Sequence, residues 1–269
     1  MALTDEIMKQ AEDKHYLFQL GCYLSESKAI DGALLVWSDR IADSYWNYAT
    51  KIDTDEKSAP ALVKTIAGFY AAKNRKPAMY LTPFTKPDNL PAIIEKAGFS
   101  VDNQDAWMFY EGPKPNIELP NGFVIKQVET LDEMRTFVNI FNRSYGGASP
   151  DEPYGALPKE YGEALLASFS QRTDNVKVVN EIGMLDGVPM AIGTMICSDG
   201  FAGLYNLGVS PEYRKRGFSE IMSLNRTKEA MELGNDVIFL QTEKGSYNEK
   251  LFTKWGFTTG FTGKGYVLK

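Results

Sequence analysis

The sequence predicts an α/β protein made of two similar halves joined by a short linker. Three observations carry that expectation. Apolar strands alternate with amphipathic helices along the chain, a proline- and glycine-rich stretch interrupts the alternation near the middle, and both halves end on the same pattern. At 269 residues, with 43% hydrophobic and 24% charged side chains, the chain can form one large domain or two compact ones of roughly 150 residues. Its apolar runs stop at lengths like Gly32 to Trp37, far short of a membrane span.

Residues 4 to 24 put Ile7, Ala11, Tyr16 and Leu20 near one helical face, and 32 to 37 read as a short buried strand. A helix then runs from Ser58 as its cap, with Pro60 in the first turn, and a strand follows at Ala78 to Thr82. Next come a helix from about Asp88 to Ala97, stopped by Gly98, and a strand around Ala106 to Tyr110. Three prolines and two glycines between Glu111 and Gly122 give that stretch linker composition. The boundaries are therefore 1–111 for the first domain, 112–122 for the linker and 123–269 for the second domain. The second half opens with a strand at Phe123 to Val128 and a helix from Leu131 to about Asn142. A long polar loop follows, from Tyr145 to Pro158, of the kind that in compact domains is commonly functional. After a helix at about 159 to 170, the Asp186-Gly187 turn separates strands near 176 to 184 and 188 to 197. A strand at Gly203 to Val209 runs into a basic turn and a helix from Ser219 to Leu233, stopped by Gly234. The stretch from Leu81 to Phe99 matches Leu240 to Phe257 after one deletion: a strand end, a helix, a Gly-Phe pair and an aromatic strand.

Rare residues and charge exclude several classes. Lys plus Arg number 29 against 35 Asp plus Glu, a net charge of −6, which argues against a nucleic-acid surface and permits a cationic substrate. Cys22 and Cys197 are far apart and lack metal-ligand spacing, so neither a bound metal nor a disulfide framework is expected. Met1 leads into an acidic, helical start rather than a signal sequence, so the chain reads as cytoplasmic, with no membrane partner. The one histidine, His15, is expected in a surface or capping role.

Leu207 to Ser219 carries the chemistry. A buried strand ends, Pro211 forces a turn, and Gly217 precedes a helix. Such a turn aims unpaired N–H groups outward, and together with the positive end of the helix dipole they make an anion site that Gly217 leaves unobstructed. Arg214, Lys215 and Arg216 add charge, although spacing alone also fits a helix start with three solvated cations. Neither a Walker A loop nor GxGxxG is present.

The pattern Val209-x-Pro211-x-x-Arg214-x-x-Gly217-x-Ser219 resembles the acetyl-CoA motif of the GNAT N-acetyltransferase superfamily. Leu251-Phe252-x-x-x-Gly256-Phe257 is similar to that family's second motif, and lies at the expected distance downstream. The resemblance implies two GNAT-like halves, each a mixed central sheet flanked by helices, the first half degenerate. It also implies acetyl-CoA as cosubstrate, its pyrophosphate on the N–H groups of Arg214, Lys215, Arg216, Gly217, Phe218 and Ser219. The pantetheine arm would pair with Leu207, Gly208 and Val209, and the Val209 N–H would face the developing oxyanion. Ser246, expected to form a capping box with Glu249, would start the helix on the cofactor's other side.

Departures from the family pattern matter. The positions of the usual carboxylate base hold Gly203 and Tyr205, and the usual tyrosine acid is Phe252. In the first half, Lys51 to Lys57 has no glycine and three acids where a phosphate turn belongs. The expectation is acetyl transfer to a primary amine of a small molecule, bound near Tyr205, Glu243, Asp151 and Glu152. A protein or peptide amine, or a non-catalytic acyl-CoA-binding regulator, are the alternatives, and homo-oligomerisation is left open.

Overall fold

A computed structural model describes residues 2–147, 156–171 and 176–269. The first half contains α1 (Asp5–Gln19), β1 (Glu26–Ile30), β2 (Ala33–Trp37), β3 (Tyr48–Thr50), α2 (Ala59–Ala72), β4 (Ala78–Leu81), α3 (Leu90–Lys96) and β5 (Phe99–Tyr110). The second contains β6 (Phe123–Gln127), α4 (Leu131–Ser144), α5 (Lys159–Ser168), β7 (Lys177–Leu185), β8 (Val188–Ser198) and β9 (Phe201–Val209). It continues with α6 (Phe218–Glu232), β10 (Val237–Glu243), α7 (Tyr247–Lys254) and β11 (Phe257–Leu268).

All these strands form one mixed sheet in the order β1-β2-β3-β4-β11-β5-β10-β9-β8-β7-β6. The two halves exchange their last strands. β11 pairs with β4 of the first half, from Lys264↔Leu81 to Val267↔Ala78, while β5 pairs with β10 of the second, from Glu243↔Asp105 to Phe239↔Phe109. β5 and β11 also run against each other, with Phe99 opposite Leu268 and Tyr110 opposite Phe257, so each strand's first residue faces the other's last. The turns into these strands are matched: Gly98 (φ 93°) and Gly256 (φ 96°) follow α3 and α7 in the left-handed conformation that ends helices cheaply only at glycine. The repeated Gly-Phe pairs of the sequence are these two turns.

Helices α1, α4 and α5 cover one face around Trp107, Phe239 and Phe261. On the other face, α2 and α3 pack in one cluster and α6 and α7 in two more. Among the described residues, no helix is long and apolar enough to cross a membrane.

Some boundaries move. The first helix stops at Gln19 rather than 24, because the chain turns through Gly21 at φ 80°. β1 has no counterpart in the sequence reading, since an exposed edge strand such as Glu26 to Ile30 carries no apolar alternation. β5 begins at Phe99, well before Ala106, because Val101 to Gln104 lie on the sheet without a buried face. Ser58 stands at the start of α2 but its hydroxyl does not cap it; the Asp55 carboxylate accepts from the N–H groups of Lys57 (2.8 Å) and Ser58 (2.9 Å).

Candidate active site

β9 and β10 are parallel neighbours only from Phe201 to Gly203 and from Val237 to Phe239; beyond that they part and leave a cleft. The backbone of β9 is aimed at this cleft by a bulge. Its register against β8 shifts between Ile192 and Thr194, where Asn206 adopts φ 54°. After the bulge the Ser210 N–H bonds the Met190 carbonyl (2.9 Å), so antiparallel alternation turns the N–H and C=O of Val209 away from β8 and toward the cleft. Two carbonyls on that edge already have partners: the Tyr145 hydroxyl donates to Leu207 (2.7 Å) and Arg214 Nε to Val209 (3.1 Å).

The bulge is held from behind by Arg226, which is 1% exposed. Its Nη1 donates to the carbonyls of Thr194 (2.9 Å) and Tyr205 (2.8 Å), the register partners on β8 and β9 at which the irregularity begins. Gly193 makes room for this, since a Cβ there would sit 2.5 Å from Arg226 Nε. Glu181, also buried, lies close enough to act on this cation electrostatically, yet burial pushes Glu181 itself up to about 8.

At the end of β9 the turn Pro211–Tyr213 leads through Lys215 (φ 60°) and Gly217 (φ 83°) into α6. No side chain caps α6, in contrast to Thr4 on α1, Thr130 on α4 and Ser246 on α7. A Cβ at Gly217 would meet nothing within 4 Å, so open space lies before the first-turn N–H groups of the helix. Arg214 departs from expectation: its guanidinium turns inward, onto Val209 and the Ser144 carbonyl (2.6 Å), and braces the strand end. Phe218 buries its ring against Phe123. Ser246 caps α7 by accepting from the Glu249 N–H (3.2 Å), but the expected box is only half made, because the Glu249 carboxylate accepts from Gly245 N–H (2.5 Å) instead.

Tyr205 faces α1. Its hydroxyl meets His15 Nδ1 at 3.3 Å, and burial pushes its phenol above the ordinary value. His15 is neither at the surface nor a cap. It is 2% exposed, packed between Trp46, Trp107 and Tyr205, and its desolvation lowers its pKa to about 3, so it is neutral. Glu243, on β10, stands beside Asp105, its register partner on β5. Burial raises Asp105 to about 7, against the Tyr80 hydrogen bond and with the Glu243 charge adding to the rise. Nothing in the local sequence around Asp105 marks it; only the strand exchange brings it beside β10. Asp151 and Glu152 lie outside the described residues.

The corresponding place in the first half is shut. Beyond Ala49↔Met79 the chain after β3 stays bonded to the loop after β4: Lys86 N–H donates to the Ile52 carbonyl (2.8 Å), and Asp53 bridges Lys86. At the start of α2 the Asp55 carboxylate occupies the N–H groups that an anion would need.

No protein-family model matches the sequence, and no curated protein is significantly similar to it. Solved structures are similar along nearly the whole length. A GCN5-related N-acetyltransferase from Kribbella flavida superposes with a TM-score of 0.68 at 16% identity, over 96% of this chain and 94% of that one. The chain has the GNAT fold. A GCN5-related N-acetyltransferase from Sphaerobacter thermophilus gives 0.63 at 10% identity, over 88% of this chain and 80% of that one. A tandem GNAT protein from the clavulanic acid biosynthesis pathway gives 0.62 at 10% identity, over 87% and 77%. At these identities the likeness to GNAT structures is one of fold, and the chemistry has to be argued from this chain's own cleft.

Proposed function

We propose that this GNAT-fold protein transfers an acetyl group from acetyl-CoA to a primary amine of a small molecule, and that its second half holds one acetyl-CoA per chain. One contrast supports this most: β9 and β10 diverge in front of an uncapped helix start, whereas the matching gap in the first half is bonded shut and carries its own carboxylate. In this reading the N–H groups from Lys215 to Ser219 hold the pyrophosphate, with charge from Lys215 and Arg216; the Arg214 N–H, expected among them, is instead donated to the Pro211 carbonyl (3.3 Å). Residues 1–111 are a degenerate half and 123–269 the catalytic one.

The reaction needs an amine lone pair at the acetyl carbon, a place for the oxyanion and a departing thiolate. The Val209 N–H, turned into the cleft, suits the oxyanion. An alkylammonium pKa near ~10.4 makes deprotonation the harder step, while a thiol pKa near ~8.5 makes thiolate an adequate leaving group without an acid. Phe252, buried against Trp255 and Phe257, cannot supply one. Tyr205, kept neutral by burial, serves to orient the water that carries the proton away, and Glu243, Asp151 and Glu152 attract the amine. A non-catalytic acyl-CoA-binding role has one observation in its favour, the absence of a carboxylate at the two usual base positions, Gly203 and Tyr205. Thiol release from acetyl-CoA in the presence of a panel of small amines and a lysine peptide tests the proposal. Amine-dependent release is expected with the small amines; release only with the peptide redirects the substrate class, and tight binding without release overturns catalysis.

A further inference from the structure

A ligand that pairs with β9 as an extra strand needs backbone acceptors on the cleft edge, and the chain has already supplied those acceptors with donors. Past the bulge, antiparallel alternation turns Gly208 and Ser210 toward β8 and leaves Leu207 and Val209 facing the cleft. The acceptors on this stretch of edge are therefore the Leu207 and Val209 carbonyls. The hydroxyl of Tyr145, the residue that ends α4, donates to the first (2.7 Å), and Arg214 Nε donates to the second (3.1 Å). Arg214 Nη2 also holds the Ser144 carbonyl, so the end of α4 is tied to the strand edge at both cleft-facing positions.

The fold brings α4 this close on purpose-shaped ground: a Cβ at Gly208 would lie 2.9 Å from the Ser144 Cβ, so a larger residue would push the helix end away from the strand. The main chain of Tyr145 is fixed on both sides. Its N–H donates to the Phe141 carbonyl (2.9 Å), and its own carbonyl accepts from the Leu157 N–H (2.9 Å). Its half-buried ring lies against Phe141, with centroids 4.6 Å apart. With the main chain held, the hydroxyl can leave Leu207 by a turn of the side chain alone. The two contacts differ in kind. Arg214 reaches Val209 from the same turn, five residues further on, whereas Tyr145 comes from another element and makes with Leu207 the bond that an amide N–H of a pairing strand would make.

We infer that Tyr145 is a latch on the donor side of the cleft: its hydroxyl holds the Leu207 carbonyl until an amide N–H of a pantetheine arm takes its place. The inference rests on the acyl-CoA reading of the cleft and adds to it a residue that lowers affinity for the donor. Binding then exchanges one hydrogen bond on Leu207 for another, and the arm pays for releasing the phenol before it gains its own bond. The apparent affinity is reduced by the fraction of time the latch is closed.

The experiment titrates acetyl-CoA, and separately ADP, into the full chain and into Tyr145→Phe by calorimetry. The substitution keeps the ring and deletes only the hydroxyl, and ADP has a pyrophosphate but no pantetheine arm. Deleting a bond that the arm has to displace is expected to tighten acetyl-CoA by about three- to tenfold and to leave ADP within about twofold. A residue that merely supported the cleft would not give a gain on removal. Acetyl-CoA bound by both proteins, with equal or weaker affinity in Tyr145→Phe, would overturn the latch and leave the acyl-CoA reading standing. An equal gain for ADP would also overturn it, by placing the effect at the phosphate turn. Acetyl-CoA heat in Tyr145→Phe alone supports the latch in its strongest form; no heat in either protein removes the acyl-CoA reading, and the latch with it.

Discussion

Arg226 reaches from α6 through the gap at Gly193 and bonds two carbonyls that the β9 bulge would otherwise strand, so one side chain sets the angle at which the strand leaves its neighbour. Replacing it with methionine leaves Thr194, Tyr205 and Glu181 without their buried partner. Arg226→Met should cost about 3–5 kcal/mol in a urea titration, and Gly193→Ala about 1–3 kcal/mol through overpacking. A near-neutral Gly193→Ala would mean that the guanidinium does not hold the bulge. Tyr205 poses a different question, because in the proposed reaction it orients rather than titrates. Tyr205→Phe is expected to lower kcat/KM with acetyl-CoA affinity unchanged, and wild-type kcat/KM should climb with pH toward the substrate amine's own pKa. A fully active Tyr205→Phe enzyme shifts attention to Glu243. At this scale the sequence was least informative. Gly217, Lys215 and Val209 were legible because a strand, a turn and a helix start are neighbours in the chain. His15, Asp105 and Arg226 were not, because each owes its role to residues far away in sequence: His15 to Trp107 and Tyr205, Asp105 to Glu243, Arg226 to Gly193.

The decisive elements are α6 and α2, two helices placed alike in the two halves but started differently. α6 begins at a left-handed glycine with no capping side chain, whereas α2 has a carboxylate sitting on the N–H groups just before it. Gly217→Asp would bring to α6 what Asp55 brings to α2, together with strain at φ 83°, and should abolish acetyl-CoA binding while leaving circular dichroism unchanged. Retained binding would mean that the anion site is elsewhere. Helices and buried strands were readable from apolar spacing, and the Gly-Phe repeat foretold the matched turns before β5 and β11. The polar first third of β5 and the edge strand β1 were not, since neither buries a regular face. No local pattern could show that β5 and β11 change sides.

That exchange makes the whole molecule one unit. A chain starting at Gly122 would lose β5 from between β10 and β11, exposing Phe239, Phe261 and two strand edges, so it should be insoluble or unfolded rather than a small active enzyme. A soluble, acetyl-CoA-binding fragment would contradict the sheet order. Stability should also depend on pH in an unusual direction. Burial raises Glu12 to about 7, Asp105 to about 7 and Glu181 to about 8, so in the folded state these groups hold protons that the unfolded chain releases near pH 4 to 5. Their contribution is fully present below the unfolded values and is lost as pH rises through 7 to 8. His15, lowered to about 3, works the other way below about pH 6.5, where the unfolded chain takes up a proton that the fold refuses. Three carboxylates outweigh one histidine, so Tm should rise as pH falls from 8 to about 6, and Glu12→Gln should flatten the slope; a Tm that climbs steadily toward pH 8 would show these groups to be solvated. Whether the second half of this GNAT fold holds acyl-CoA in its cleft while the first half is closed to it is decided by titrating acetyl-CoA into the full chain in a calorimeter. Saturable binding at one molecule per chain, lost in Gly217→Asp, is expected; a stoichiometry of two, or no heat at millimolar acetyl-CoA, would overturn the proposal.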